Sequence, residues 1–169
     1  PKFGTIVHKA ITAVRSGADK GELEVDMDWM LADGKGPVVL KEHTLFVFRG
    51  GSGFRSVDRI TRLQALETRV ALTDNKEGVL GLRVARQLEI PSKKAEVFTD
   101  AGGRATTVAT MDNAGVNGDY LTSEGKTGDA VWGTRARWCT LSARIGDEPV
   151  TVAMLDHPGN PGFPTYWHA

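Results

Sequence analysis

A chain of 169 residues with 40% hydrophobic and 25% charged side chains has the size and balance of a globular domain able to bury a real core. Lys plus Arg and Asp plus Glu stand at 21 each, so there is no basic excess, and a nucleic-acid partner is not expected. Apolar stretches run only a few residues, which excludes insertion of a hydrophobic span into a membrane, and a single cysteine, Cys139, excludes an internal disulfide and a cysteine-based metal cluster.

Gly, Asp and Asn clusters interrupt the chain every ten to fifteen residues, the spacing of strands joined by turns. Thr5 to Val14 mixes β-branched residues with His8 and Lys9 and predicts a first strand. From Gly21 to Leu31, Leu23, Val25, Met27 and Trp29 alternate with Glu22, Glu24, Asp26 and Asp28, which predicts a half-buried strand with an acidic outer face. Asp33-Gly34-Lys35-Gly36 reads as a hairpin-type turn. Pro37 to Arg49 resumes the strand pattern, with Val38, Leu40, Phe46 and Phe48 on one face and Val39, Leu45 and Val47 on the other. Gly50 to Gly53 is a second turn, and Phe54 to Leu72 follows as one long strand or two shorter ones. Leu80, Val84 and Leu88 suit a short helix, although Gly81 opposes a long one. Ala101 to Gly128 is the loosest stretch, with six glycines and two asparagines. Val131 to Ile145 predicts a long strand with Trp132, Thr134, Ala136 and Trp138 on one face. Val150 to Leu155 is the last strand, and Asp156 to His168 a proline-rich loop. The expected fold is all-β: one antiparallel β-sandwich domain over residues 1–169. The opening at Pro1 and the aromatic close, Pro164 to Ala169, read as a piece excised from a longer chain.

Three stretches could carry chemistry. The turn Thr73 to Gly78 sets the Lys76 ammonium near the Glu77 carboxylate, a pair able to hydrogen-bond sugar hydroxyls or to act as acid and base; the plain alternative is a solvated turn with a surface ion pair. Ser123 to Trp138 contains Gly125-Lys126-Thr127, but the glycine that a phosphate-binding loop needs upstream is Tyr120 and a strand-like run follows, so that motif is rejected. There, alternation predicts Arg135 on the face opposite Trp132 and Trp138, the tryptophans serving either as core or as a surface stacking on a sugar ring. Asp156 to His168 holds three prolines and two glycines in thirteen residues, which fix its shape. It presents His157, His168, Asn160, Asp156, Tyr166 and Trp167, and imidazole is the side chain best poised for proton transfer near neutral pH. The histidine spacing matches no standard ligand motif, so no metal and no cofactor are expected. His8 and His43 read as ordinary strand residues, and Cys139 as small apolar filler.

Taken together, Asn75 to Gly78 with Gly81 to Val84, Ser123-Glu124-Gly125 with Trp132 to Trp138, Asp156 to Pro161 and Pro164 to His168 resemble the bacterial family labelled PmoA-like, or methane oxygenase PmoA. Gly4 to His8 and the Asp28-Trp29 pair fit as well. The resemblance implies a β-sandwich of the galactose-mutarotase type, often exported to the periplasm or beyond and often encoded near sugar-degrading enzymes. It therefore implies a small-molecule carbohydrate, or an oxidised sugar derivative, as ligand. Under that reading Glu77, His157 and His168 are the acid/base residues of an epimerase, lyase or hydrolase. Lys76, Arg135 and Asn160 hold hydroxyls or a carboxylate, Trp132 or Trp167 stacks on the ring, and His8 joins by its matching position. A non-catalytic glycan-binding module is the alternative, and the family label adds a metal-dependent oxygenase. Substrate identity and oligomeric state are not legible in the sequence.

Overall fold

The computed structural model describes residues 4–73 and 78–169. The protein is all-β, with antiparallel sheets throughout and helical geometry, among the described residues, confined to three short 3-10 turns. No helix of the described residues is long and apolar enough to cross a membrane. The chain divides into two compact units, Pro1–Thr73 and Asp74–Ala169.

The first unit is a four-stranded meander, β1 (Thr5–Ser16), β2 (Gly21–Met30), β3 (Val38–Gly51) and β4 (Phe54–Ala65), in the order β1-β2-β3-β4. β2 forms where the period-two pattern placed it, but its acidic side is not an open outer face: Asp28 is as buried as Val25. Opposite β3, Met27 pairs with Glu42, Asp28 with Lys41 and Asp26 with His43; opposite β4, His43 pairs with Arg62 and Lys41 with Gln64. One face therefore gathers Leu23, Val25, Met27, Trp29, Leu40 and Phe46, while the other gathers Asp26, Asp28, Lys41, His43, Arg62 and Gln64. The expected turn after β2 forms as a 3-10 turn at Ala32–Gly34, with Ala32 and Asp33 in the left-handed region at φ 51° and 55°. β4 ends at Ala65, short of the Leu72 that the sequence allowed.

The second unit holds a two-stranded ribbon, β5 (Glu96–Thr99) with β6 (Ala105–Val108), and a three-stranded sheet, β7 (Asp119–Thr122), β8 (Trp138–Ile145) and β9 (Glu148–Leu155). The loosest stretch of sequence thus contributes two strands. Its core joins buried Leu88, Leu141 and Ala143, with Val84, Tyr120 and Val152 packed against them. Only a 3-10 turn, Arg86–Leu88, stands where a short helix was expected.

The long strand expected from Val131 to Ile145 does not form. Gly128–Val131 is a 3-10 turn, Gly133 adopts φ 69°, and strand geometry begins only at Trp138. Residues 132–137 lie outside any strand, so the alternation argument for Arg135 loses its basis.

Gly118 packs against the main chain of the core residue Leu88: its N–H donates to Glu89 O at 2.9 Å, and a Cβ there would lie 2.0 Å from Leu88 O. Gly118→Ala must push Leu88 away and is expected to cost about 1–3 kcal/mol of stability. An unchanged urea midpoint in this variant would show that the contact yields freely.

Candidate functional site

The polar face of the four-stranded sheet carries an open cleft of about 400 Å³, lined by Lys9, Asp26, Asp28, Lys41, His43, Arg62 and Gln64 together with Met27 and Glu42. The register explains the set. Asp26, His43 and Arg62 form one cross-strand row, and Asp28, Lys41 and Gln64 the next. Lys9 joins from the β-bulge between His8 and Ala10, where the extra residue is free of the ladder. Met27 and Glu42 point their side chains to the opposite face, so they supply main chain to the floor.

Charges alternate across this cleft. Asp28, buried at 4% exposure, accepts from Lys41 Nζ at 2.6 Å and lies 3.8 Å from Lys9 Nζ. His43 Nδ1 is 2.8 Å from Asp26 Oδ1. An ionised carboxylate only accepts, so His43 Nδ1 is the donor in this pair. Glu24 Oε2 stands 3.5 Å from Nε2 and its other oxygen takes Arg15 at 2.5 Å. The imidazole is half exposed. A half-exposed histidine set between two carboxylates, Asp26 at Nδ1 and Glu24 near Nε2, can move a proton on a bound molecule.

On the opposite face the Glu42 side chain is fully excluded from solvent. Its oxygens accept from Trp29 Nε1 at 2.6 Å, Thr44 Oγ1 at 2.6 Å and Arg59 at 2.7 Å, and Thr44 also bonds Thr61 at 2.8 Å. Burial pushes the Glu42 carboxyl up, but the bonds from Thr44, Trp29 and Arg59 and the guanidinium charge outweigh it and hold it below the ordinary range. This network clamps β2, β3 and β4 behind the cleft.

In the second unit the aromatic loop folds onto the segment around Arg135. Arg135 and Tyr166 form an isolated bridge; Arg135 also donates to the carbonyls of Gly162 at 3.3 Å and Pro164 at 3.2 Å, and lies over the Tyr166 ring at 4.5 Å. Trp167 Nε1 donates to Ala136 O at 2.9 Å. Asp156 accepts from the Asn160 amide at 2.7 Å and the Thr165 N–H at 2.9 Å, closing the loop from within. His157 Nδ1 accepts from the Gly159 N–H at 3.0 Å, and the His168 ring meets Trp132 edge-on at 5.6 Å between centroids. The structure thus gathers Trp132, Arg135, Trp167 and His168 around this loop, with His157 and Asn160 within it. The polar groups of Arg135, Asn160 and Trp167, and Nδ1 of His157, are engaged in holding that loop. Trp132 and Tyr166 keep open faces, at 53% and 54% exposure. Lys76 and Glu77 lie outside the described residues. His8 pairs with Met27, on the face away from the cleft. Cys139 is buried and unpaired, and burial pushes its thiol up, which suits packing more than reactivity.

The cleft is the feature that sequence reasoning missed. The acidic edge of β2 was legible, and the matching signal was Lys41 and His43 two residues apart on the next strand. Among the described residues no three His, Cys, Asp or Glu side chains are grouped as metal ligands.

Fold and site define an all-β protein with a charged cleft on an antiparallel sheet. The chain belongs to the family described as a family of unknown function (DUF6807), whose model matches residues 1–169. That match corrects the resemblance to the PmoA-like methane oxygenase family, and the oxygenase expectation, which rested on that label alone, goes with it. No curated protein and no solved structure matches the chain.

Proposed function

We propose that this protein binds a sugar or an oxidised sugar derivative in the cleft over β2, β3 and β4 and moves a proton on it through His43, oriented by Asp26. The observation that carries the reading is the cleft floor: two carboxylates, three cations, an imidazole and an amide on one sheet face around about 400 Å³. Sugar hydroxyls both donate and accept, and they are matched by a mixed floor of this kind better than by a field of one sign. The interleaved charges also favour a small polyol over a nucleic acid, whose phosphates call for an uninterrupted basic surface. Epimerase, lyase and hydrolase chemistry all turn on proton transfer by a positioned group, the role that the Asp26–His43 pair can fill.

A second reading, non-catalytic glycan binding at the aromatic loop, is favoured by the open faces of Trp132 and Tyr166. One titration separates the two. With isotope-labelled protein and a panel of monosaccharides and their acids, the first reading expects amide shifts along β2 to β4 centred on His43, together with turnover of at least one compound. Shifts confined to Trp132 and Tyr166, without turnover, would replace it by the second.

A further inference from the structure

The geometry points to a sugar acid as the ligand of the cleft, its carboxylate held by Arg62 with Gln64 alongside. This inference rests on the carbohydrate reading just given and narrows its substrate class. The argument is a matching of partners. Three cations, Lys9, Lys41 and Arg62, line the cleft against two carboxylates, Asp26 and Asp28. Asp28 is taken by Lys41 at 2.6 Å with Lys9 at 3.8 Å, and Asp26 by His43 at 2.8 Å. Glu24, in the adjacent row of the same face, is taken by Arg15 at 2.5 Å and lies 3.5 Å from His43 Nε2, while Glu42 points to the opposite face and is taken by Arg59 at 2.7 Å. Arg62 has no hydrogen bond or ion pair with any described residue, and neither does the amide of Gln64 two positions along the same face of β4. Arg62 therefore offers the cleft a cation that no described residue engages.

The identity of that charge narrows the ligand. A guanidinium stays ionised at any working pH and presents a planar fork that takes both oxygens of a carboxylate, whereas a neutral hydroxyl uses only part of it. In the β3–β4 register Arg62 stands directly across from His43, so an acid group on Arg62 sets the sugar carbons beside the imidazole. Lys41, across from Gln64, remains beside Asp28 to meet ring hydroxyls. The ligand expected is a uronic or aldonic acid more than its neutral parent.

The test is calorimetry of the full chain with D-glucuronate against D-glucose and D-galacturonate against D-galactose. At least one acid is expected to bind about tenfold tighter than its neutral parent or more, with the difference shrinking as salt rises. Arg62→Gln is expected to erase the preference and Arg62→Lys to restore part of it. Arg62 is exposed on β4, so circular dichroism is expected to show both variants folded. Neutral and acidic sugars bound equally would overturn the sugar-acid inference while leaving the carbohydrate reading intact. A preference that survives Arg62→Gln would remove Arg62 from recognition. Binding of none of the four compounds would count against the carbohydrate reading itself, and this inference would fall with it.

Discussion

Replacing Glu42 with alanine is expected to lower the unfolding free energy by about 3 kcal/mol, the scale for breaking a buried ion pair from one side. The carboxylate is the common acceptor for three donors on three strands: Trp29 of β2, Thr44 of β3 and Arg59 of β4. Removing it leaves the Trp29 indole N–H and the Arg59 guanidinium without this acceptor and the Thr44 hydroxyl with only Thr61. The loss sits toward the lower end of the range because Arg59 keeps 23% exposure and can turn to water. A double variant, Glu42→Leu with Arg59→Met, removes both charges and is expected to be less damaged than Glu42→Leu alone. Urea denaturation of the set decides it. A Glu42→Ala midpoint indistinguishable from the parent would mean that the network contributes nothing.

The same carboxylate sets an acid limit. Its folded value lies below the ordinary glutamate value near 4.5, despite the opposing effect of burial. A depressed carboxyl contributes stability that is fully present above about pH 4.5 and is lost as pH falls through the lowered folded value. Glu22, lowered by its bond from Lys20, and Asp100, lowered chiefly by the Arg104 backbone N–H, act in the same direction. Both remain in a Glu42→Gln variant and cancel in the comparison. The stability gap between parent and Glu42→Gln is therefore expected to be widest near neutrality and to close on acidification. A gap that does not change with pH would contradict the sign of this coupling.

How far the sequence carried depended on how local each decision was. The β2 alternation from Leu23 to Trp29 needs only side-chain period, and the strand forms there, although Asp28 on its acidic side is buried. The turn at Asp33-Gly34 was equally plain, because its backbone angles suit those residues. The stretch from Val131 to Trp138 misled because Gly133 carries the chain into the left-handed region, and nothing in the flanking apolar pattern records that. In the aromatic loop, the crowding of polar groups was visible, whereas their occupancy was not. That Arg135 would serve the carbonyls of Gly162 and Pro164, some 27 to 29 residues away, is a tertiary outcome. The cleft needs the register of three strands before Asp26 meets His43, 17 residues distant, and Arg62 falls into the same row. Buried Glu42 was hidden for the same reason: its donors lie 13, 2 and 17 residues away in sequence.

Turnover of a sugar substrate is expected to fall about 10²–10⁴-fold in His43→Gln, the usual worth of a positioned general acid or base. Glutamine keeps a polar side chain of similar reach at a half-exposed site, so the sheet is expected to fold unchanged and the loss to appear in kcat. Asp26→Asn tests orientation separately. Asp26 accepts from His43 Nδ1 at 2.8 Å, which orients the ring. An amide in its place can instead donate to Nδ1, which turns the lone pair away from the substrate and leaves Nε2 as a donor. A drop of about 10–100-fold is expected, the usual cost of losing an orienting partner. Because Asp26 acts through His43, the double variant is expected to lose no more than His43→Gln alone. Full turnover in His43→Gln would remove the imidazole from the chemistry. Independent, multiplying losses in the double variant would show that Asp26 meets the substrate directly, instead of acting as the group that aims the ring.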